Sequence, residues 1–170
     1  LEMVQEIADI ASIYAVRQKN PRGLGHAILC AKEFVGDEPV ADLLGDDIVI
    51  NKKGDTAIGQ LIHVYNETGS SVVGVQTVAH ENVNKYGIID PQEAVNDRMI
   101  KVKTFVEKPD IDKAPSDMAI LGRYILTPDI FEYLETQQEG KGNEIQLVDA
   151  IDRLAKDKEV YAYDFEGQRY

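Results

Sequence analysis

One cysteine, Cys30, is the only thiol in the chain. An internal disulfide is therefore excluded, and a reducing compartment, the cytoplasm, is the setting that fits. No apolar run approaches the roughly 20 residues needed to cross a bilayer, and no signal peptide is visible at the start. No basic block offsets the formal net charge of −12. That charge argues against nucleic acid as a partner and against docking on anionic membranes. Repeats and low-complexity segments are absent. The three histidines, His26, His63 and His80, do not cluster at metal spacing, and none is assigned to catalysis. Position 1 is Leu rather than Met, and the pattern opens in mid-helix, so the chain is expected to be a piece of something longer.

The 170 residues, 44% hydrophobic and 28% charged, suit one domain, 1–170, with a substantial core. Met3, Val4, Ile7 and Ile10 have the spacing of a helix face over residues 1–10. Ile13 to Arg17 reads as a short strand and Gln18 to Gly25 as a loop. A helix follows with Leu24, Ala27, Ile28, Ala31 and Phe34 on one face, and Cys30 within it is expected in the core. After Glu38-Pro39, Val40 to Leu44 reads as a strand. Ile58, Leu61, Ile62 and Tyr65 mark a helix closed by Gly69. Ser71–Val78, Tyr86–Asp90, Met99–Glu107 and Met118–Leu126 read as strands. Thr127-Pro128 opens a helix, with Thr127 as cap and Ile130, Phe131 and Leu134 facing inward. Glu144 to Lys156 is helical with a stripe of Ile145, Val148, Ile151 and Leu154, where Glu144, Gln146 and Asp149 would orient the helix. Val160 to Phe165 closes with an alternating strand. Helices alternate with strands and then give way to a run of strands. The fold class is therefore α/β with a mixed central sheet flanked by helices.

Two features carry chemistry. The apolar run 42–47, Asp-Leu-Leu-Gly-Asp-Asp, reads as a buried strand that delivers Asp46 and Asp47 to a sheet edge, where open α/β folds keep their ligand crevice. Two hard oxygen ligands there suit Mg²⁺, and Mg²⁺ in such a crevice serves phosphates. Val106-Glu107-Lys108-Pro109 is a second strand ending in a charged pair. By residue type alone, Asp46-Asp47 is also an ordinary turn and Glu107-Lys108 an exposed pair worth little to stability. Asp42 is the discordant residue: a carboxylate inside the apolar run either faces a polar crevice or costs stability.

Five segments in one order carry a resemblance: Gln18-Lys19-Asn20-Pro21-Arg22-Gly23-Leu24-Gly25-His26-Ala27, Leu43-Leu44-Gly45-Asp46-Asp47-Ile48, Tyr86-Gly87-Ile88-Ile89-Asp90, Phe105-Val106-Glu107-Lys108-Pro109, and 142–151. The series resembles the bacterial UTP–glucose-1-phosphate uridylyltransferases (UDP-glucose pyrophosphorylases) over nearly the whole chain, including Asp164 to Tyr170. The resemblance implies a Rossmann-like nucleotide-diphospho-sugar transferase fold, truncated at both ends. It implies a reaction in which glucose 1-phosphate displaces pyrophosphate from UTP to give UDP-glucose, with Mg²⁺ as cofactor. Residue by residue, it places Gln18 and Gly23 at the uracil, Asp46 on the metal and Asp47 beside it near the nucleotide. Gly87 and Glu107 fall at the sugar and Lys108 on the sugar phosphate, with weaker backbone contacts from Ala119 and Ile120. Asp46 and Lys108 would be the catalytic pair. The chemistry suits these positions: Gln offers a donor and an acceptor to an imide edge, a carboxylate takes bonds from vicinal hydroxyls, and an ammonium is a point charge for phosphate.

The sequence also departs from the family. The glycine-rich loop with an arginine and a lysine that grips the triphosphate is absent upstream of Gln18. The family's second metal aspartate would follow Tyr170. The resemblance thus implies a core piece with little turnover, unpaired sheet edges and, from the family, a dimer or tetramer. A non-catalytic sugar-nucleotide-binding module and a metal-dependent glycosyltransferase are the competing readings.

Overall fold

The computed structural model describes residues 10–170. The helix expected over residues 1–10 lies, apart from Ile10, outside the described residues. Six strands form one mixed sheet in the order β1-β6-β3-β7-β5-β4. They are β1 (Val40–Leu43), β3 (Ser71–Thr77), β4 (Gly87–Ala94), β5 (Met99–Glu107), β6 (Met118–Leu126) and β7 (Val160–Asp164). A two-stranded ribbon, β2 (Val49–Ile50) with β8 (Gln168–Arg169), lies beside it. Among the described residues only β3 and β7 run parallel; the other ladders are antiparallel. The mixed sheet expected from the residue pattern is observed, and β5 and β6 have the expected bounds.

Strand β6 organises the sheet. Along one side it pairs with β3, from Val72↔Ile125 to Thr77↔Met118. On its other side it pairs with β1 at residues 123–126 and then with β4 through Ile88↔Ala119. Between these two ladders, residues 120–122 have no strand beside them on that side.

Alternation along the strands sends neighbouring residues to opposite layers. Val73 and Val75 face a core shared with α1 (Leu24–Leu29), α4 (Ile130–Glu135) and α5 (Leu147–Asp157), including Ile28, Phe131, Leu134, Ile151 and Leu154. Val72, Leu121 and Ile125 face the opposite layer, built on α3 (Ala57–Thr68) with Leu61, Val64 and Phe165. Helix α3 ends as expected at Gly69, left-handed at φ 66°, whose N–H bonds Tyr65 O at 2.7 Å. Its buried side is Ala57, Leu61 and Val64, whereas Ile62 of the expected stripe is exposed.

Several expectations fail for identifiable reasons. Ile13 to Arg17 is not a strand: it has no ladder partner among the described residues, and Ile13 and Tyr14 are exposed. A strand requires a neighbour, and propensity alone does not make one. The helix from Leu24 breaks at Cys30-Ala31 into α1 and α2 (Lys32–Val35), which leaves Phe34 63% exposed. Cys30 is accordingly half-buried at the helix end and not in the core. Thr127 does not cap α4; its hydroxyl meets Ser71 Oγ at 3.0 Å. Helix α5 begins at Leu147, so Glu144 to Gln146 precede it, and the Gln146 side chain does not cap it.

Strand β1 is an edge strand of alternating burial and is not fully buried. Asp42 shares its inward side with Val40 and opens on an apolar hollow of about 220 Å³ lined by Leu24, Ala27, Ile28, Ala31, Val35 and Phe131. Its Oδ2 is buried without a hydrogen-bond partner. Burial pushes its carboxyl above the usual range, against the opposing pull of Arg123. The position does not face a polar crevice, so the stability cost stands.

Candidate active site

The gap beside residues 120–122 of β6 opens into a cleft of about 350 Å³. Asp46 and Asp47 reach it from the turn after β1, and Gly87 from the start of β4. Glu107 and Lys108 come from the end of β5, and Ile120 and Gly122 from β6. The two charged strand tips singled out in the sequence therefore face the same space. Glu144, Gln146, Leu147 and Val148 add the start of α5; the N-terminus of this 11-residue helix carries a partial positive charge. Tyr86, Lys85 and Arg169 complete the rim.

Glu107 and Gly87 are directly opposed across the β5–β4 ladder. A β-carbon at Gly87 would lie 2.9 Å from Val148 Cγ2, 3.2 Å from Glu107 Oε2 and 3.2 Å from Ile120 Cδ1. Only glycine leaves the floor of the cleft open beneath the carboxylate. Glu107 is largely buried and pairs at 3.1 Å with Lys108. Lys108 has φ 47°, a left-handed backbone that a lysine rarely adopts, and its N–H is held by Tyr86 O at 2.9 Å. The turn thus spends conformational strain to present this lysine at the rim.

The two aspartates differ. Asp46 is exposed, lines the cleft and makes no hydrogen bond or ion pair among the described residues. Asp47 is 5% exposed and its Oδ1 accepts from Arg169 Nε at 2.6 Å. Arg169 also donates to Tyr86 Oη at 3.1 Å and lies over the Tyr86 ring at 5.4 Å. Asp46 is thus the carboxylate open to a cation, and Asp47 ties the β2–β8 ribbon to the cleft. Among the described residues no cluster of three or more His, Cys, Asp or Glu side chains has metal-binding geometry. A single open carboxylate still fits Mg²⁺, which keeps most of its shell for water and phosphate oxygens.

The remaining positions lie apart from this cleft. Gln18 donates to Gly23 O at 3.2 Å and meets His26 Nδ1 at 2.6 Å. Gly23, at φ 98°, is packed so closely on Glu144 and Ile145 that a β-carbon would fall 2.7 Å from Glu144 Cβ. This contact joins the Gln18 loop to the segment that borders the cleft. Ala119 is buried in the sheet between Gln76 and Ile88. His63 pairs with Asp55 at 2.9 Å and His80 with Asp117 at 2.7 Å, both exposed and away from the cleft. Sequence reasoning missed Arg169, Tyr86, Lys85 and Arg123. The first lies within the Asp164–Tyr170 segment, but nothing in its spacing signals an ion pair with a residue 122 positions away.

Residues 2–169 match the nucleotidyl transferase family. The chain belongs to that family. It is 59% identical over 171 residues to the UTP–glucose-1-phosphate uridylyltransferase of Staphylococcus epidermidis, covering all of this chain and 58% of that protein. Identity to the Staphylococcus haemolyticus protein of the same name is 59% over 170 residues, again 58% of its length. The chain therefore spans a little over half of these curated relatives. Among solved structures, a UDP-glucose pyrophosphorylase complexed with UDP-glucose superposes with a TM-score of 0.96 at 42% identity, over 99% of this chain and 64% of that one. A UTP-bound enzyme from Acinetobacter baumannii gives 0.86 at 36%, over 99% and 59%. The mixed α/β sheet described above is thus the nucleotidyl transferase fold, shared with uridylyltransferases. No helix among the described residues is long and apolar enough to cross a membrane.

Proposed function

We propose that this chain carries the sugar-phosphate side of a site that joins UTP and glucose 1-phosphate into UDP-glucose and pyrophosphate. The observation that supports it is the convergence of Asp46 and the Glu107–Lys108 pair on one cleft floored by Gly87. In this reading the Glu107 carboxylate accepts from sugar hydroxyls over the bare Gly87 backbone. Lys108 neutralises and orients the sugar phosphate, whose oxygen attacks the α-phosphorus of UTP as pyrophosphate leaves. No proton has to move and no enzyme nucleophile is required, so the residues act by positioning and charge. Asp46 would hold Mg²⁺, which supplies charge neutralisation to nucleotide phosphates. Gln18 and Gly23 would meet the uracil from the loop packed on Glu144, and Ala119 and Ile120 would add backbone contacts near the sugar. Asp47 supports the nucleotide side through its tie to Arg169. The cytoplasm, where these substrates are made and used, is the corresponding setting, and a homo-oligomer is the corresponding assembly.

Calorimetric titration with UDP-glucose, with and without Mg²⁺, tests the reading alongside pyrophosphate release from UTP and glucose 1-phosphate. Binding that depends on Glu107 and Lys108 supports it. Absence of UDP-glucose binding at millimolar concentration, or transfer of glucose from UDP-glucose to an acceptor sugar, overturns it.

A further inference from the structure

Arg123 is a buried cation on β6, 8% exposed, and it forms no ion pair among the described residues. Its guanidinium bonds backbone carbonyls alone: Nη1 donates to Gly122 O at 2.8 Å and to Leu44 O at 3.3 Å, and Nη2 donates to Asp47 O. Leu44 and Asp47 are the first and last residues of the turn that presents Asp46, closed by Asp47 N–H to Leu44 O at 3.3 Å. The planar fork of one arginine thus spans both ends of a four-residue turn, a geometry an ammonium does not reproduce. Its stem is fixed in turn: Arg123 Cβ sits against Gly74, beside the Phe165 ring. Burying a charge without a counter-charge in contact is unfavourable, Asp42 acting on it only through space, and the neighbouring positions on that face are apolar, Leu121 and Ile125.

We propose that Arg123 is a positioning residue for Asp46: it fixes the turn so that the Asp46 carboxylate faces the cleft at the place where a divalent cation joins the nucleotide. This rests on Asp46 being the cation ligand in the function proposed above. Arg123 itself does not line the cleft.

Water-proton relaxation during Mn²⁺ titration at saturating UDP-glucose reads the effect directly. The comparison uses the full chain as wild type, Asp46→Ala, Arg123→Lys and Val64→Ala, the last a core truncation away from the cleft that controls for lost stability. Arg123→Lys is expected to weaken Mn²⁺ about tenfold while leaving metal-free UDP-glucose affinity within twofold of wild type. Val64→Ala is expected to change neither. If Arg123→Lys does not fold, Arg123→Met, which keeps an apolar stem against Phe165, serves in its place with the same expectation. Wild-type Mn²⁺ affinity in either arginine variant overturns the proposal alone. Mn²⁺ binding unaffected by Asp46→Ala overturns the assignment of Asp46 and the present proposal together.

Discussion

Arg169 and Asp47 form an ion pair of 2.6 Å across 122 positions of sequence, with the carboxylate buried and the arginine side chain, 37% exposed, over the Tyr86 ring. The pair fastens the C-terminal ribbon to the turn that carries Asp46. A buried charge left without its partner costs more than a neutral bond lost.

Arg169→Ala should therefore lower stability by about 2 kcal/mol, because it leaves the buried Asp47 carboxylate unpaired, a fall in Tm of roughly 4–8 °C for a domain of this size. Asp47→Asn should cost less, because it removes the buried charge and leaves Arg169 in contact with water. Thermal unfolding followed by circular dichroism checks the order. Equal Tm values for Arg169→Ala and wild type would show that the pair does not hold the ribbon.

Asp42→Val should stabilise the chain by about 1–3 kcal/mol, because it removes a buried oxygen without a partner from an apolar hollow. Burial raises the Asp42 pKa above its ordinary 3.8 in the folded chain. The folded state therefore keeps the proton to higher pH than the unfolded chain does. The cost of Asp42 is absent below the ordinary value, grows as pH rises towards the folded value, and is complete above it. The Tm advantage of Asp42→Val should accordingly be largest at neutral pH and shrink on acidification. An advantage independent of pH would point to packing alone.

Lys108 separates stability from function. Lys108→Gly should fold at least as well as wild type, since glycine adopts φ 47° without strain. Lys108→Ala keeps the strain and loses the ion pair with Glu107. Both should weaken UDP-glucose binding by about tenfold or more, the scale of a charge-assisted phosphate contact. Calorimetry and thermal melts on the two variants settle it. A Lys108→Gly protein that binds as wild type does would remove Lys108 from the site.

Gly87→Ala places a methyl group into contact with Val148, Glu107 and Ile120. Overpacking of this kind costs about 1–3 kcal/mol, and the same methyl occupies the floor on which the sugar would lie. UDP-glucose binding should fall below detection while the chain still melts cooperatively. Retained binding would mean that the sugar does not approach the β4 backbone.

The sequence revealed elements whose signals are local. The strands Met99–Glu107 and Met118–Leu126 are long and predominantly apolar, the first with alternating β-branched residues, and they appear with the expected bounds. Gly69 ends its helix because a left-handed residue is needed there, and the Val148–Ile151–Leu154 stripe of α5 packs inward because its period matches the helix. What depends on distant partners was not legible. Ile13 to Arg17 has strand residues but no neighbouring strand among the described residues. The break at Cys30-Ala31 has no glycine or proline to announce it. Asp46 and Glu107 were visible as charges at the ends of apolar runs, and their shared cleft required the sheet order. Arg123 and Arg169 gave no signal in the sequence, because partners 76 or more positions away leave no periodic trace.

Both walls of the cleft hang from β6: β1 is laced to residues 123–126 and β4 to Ala119, only a few residues further along the same strand. The stretch between them bulges, with Gly122 at φ 44° and the register against β3 shifted between Val73 and Val75, while Ile120 stays paired to β3 on the far side. The opening behaves as a jig rather than a jaw: its width is set by a few residues of one strand held in the middle of the sheet. Ligands that differ in size would then be accommodated by side chains at the rim.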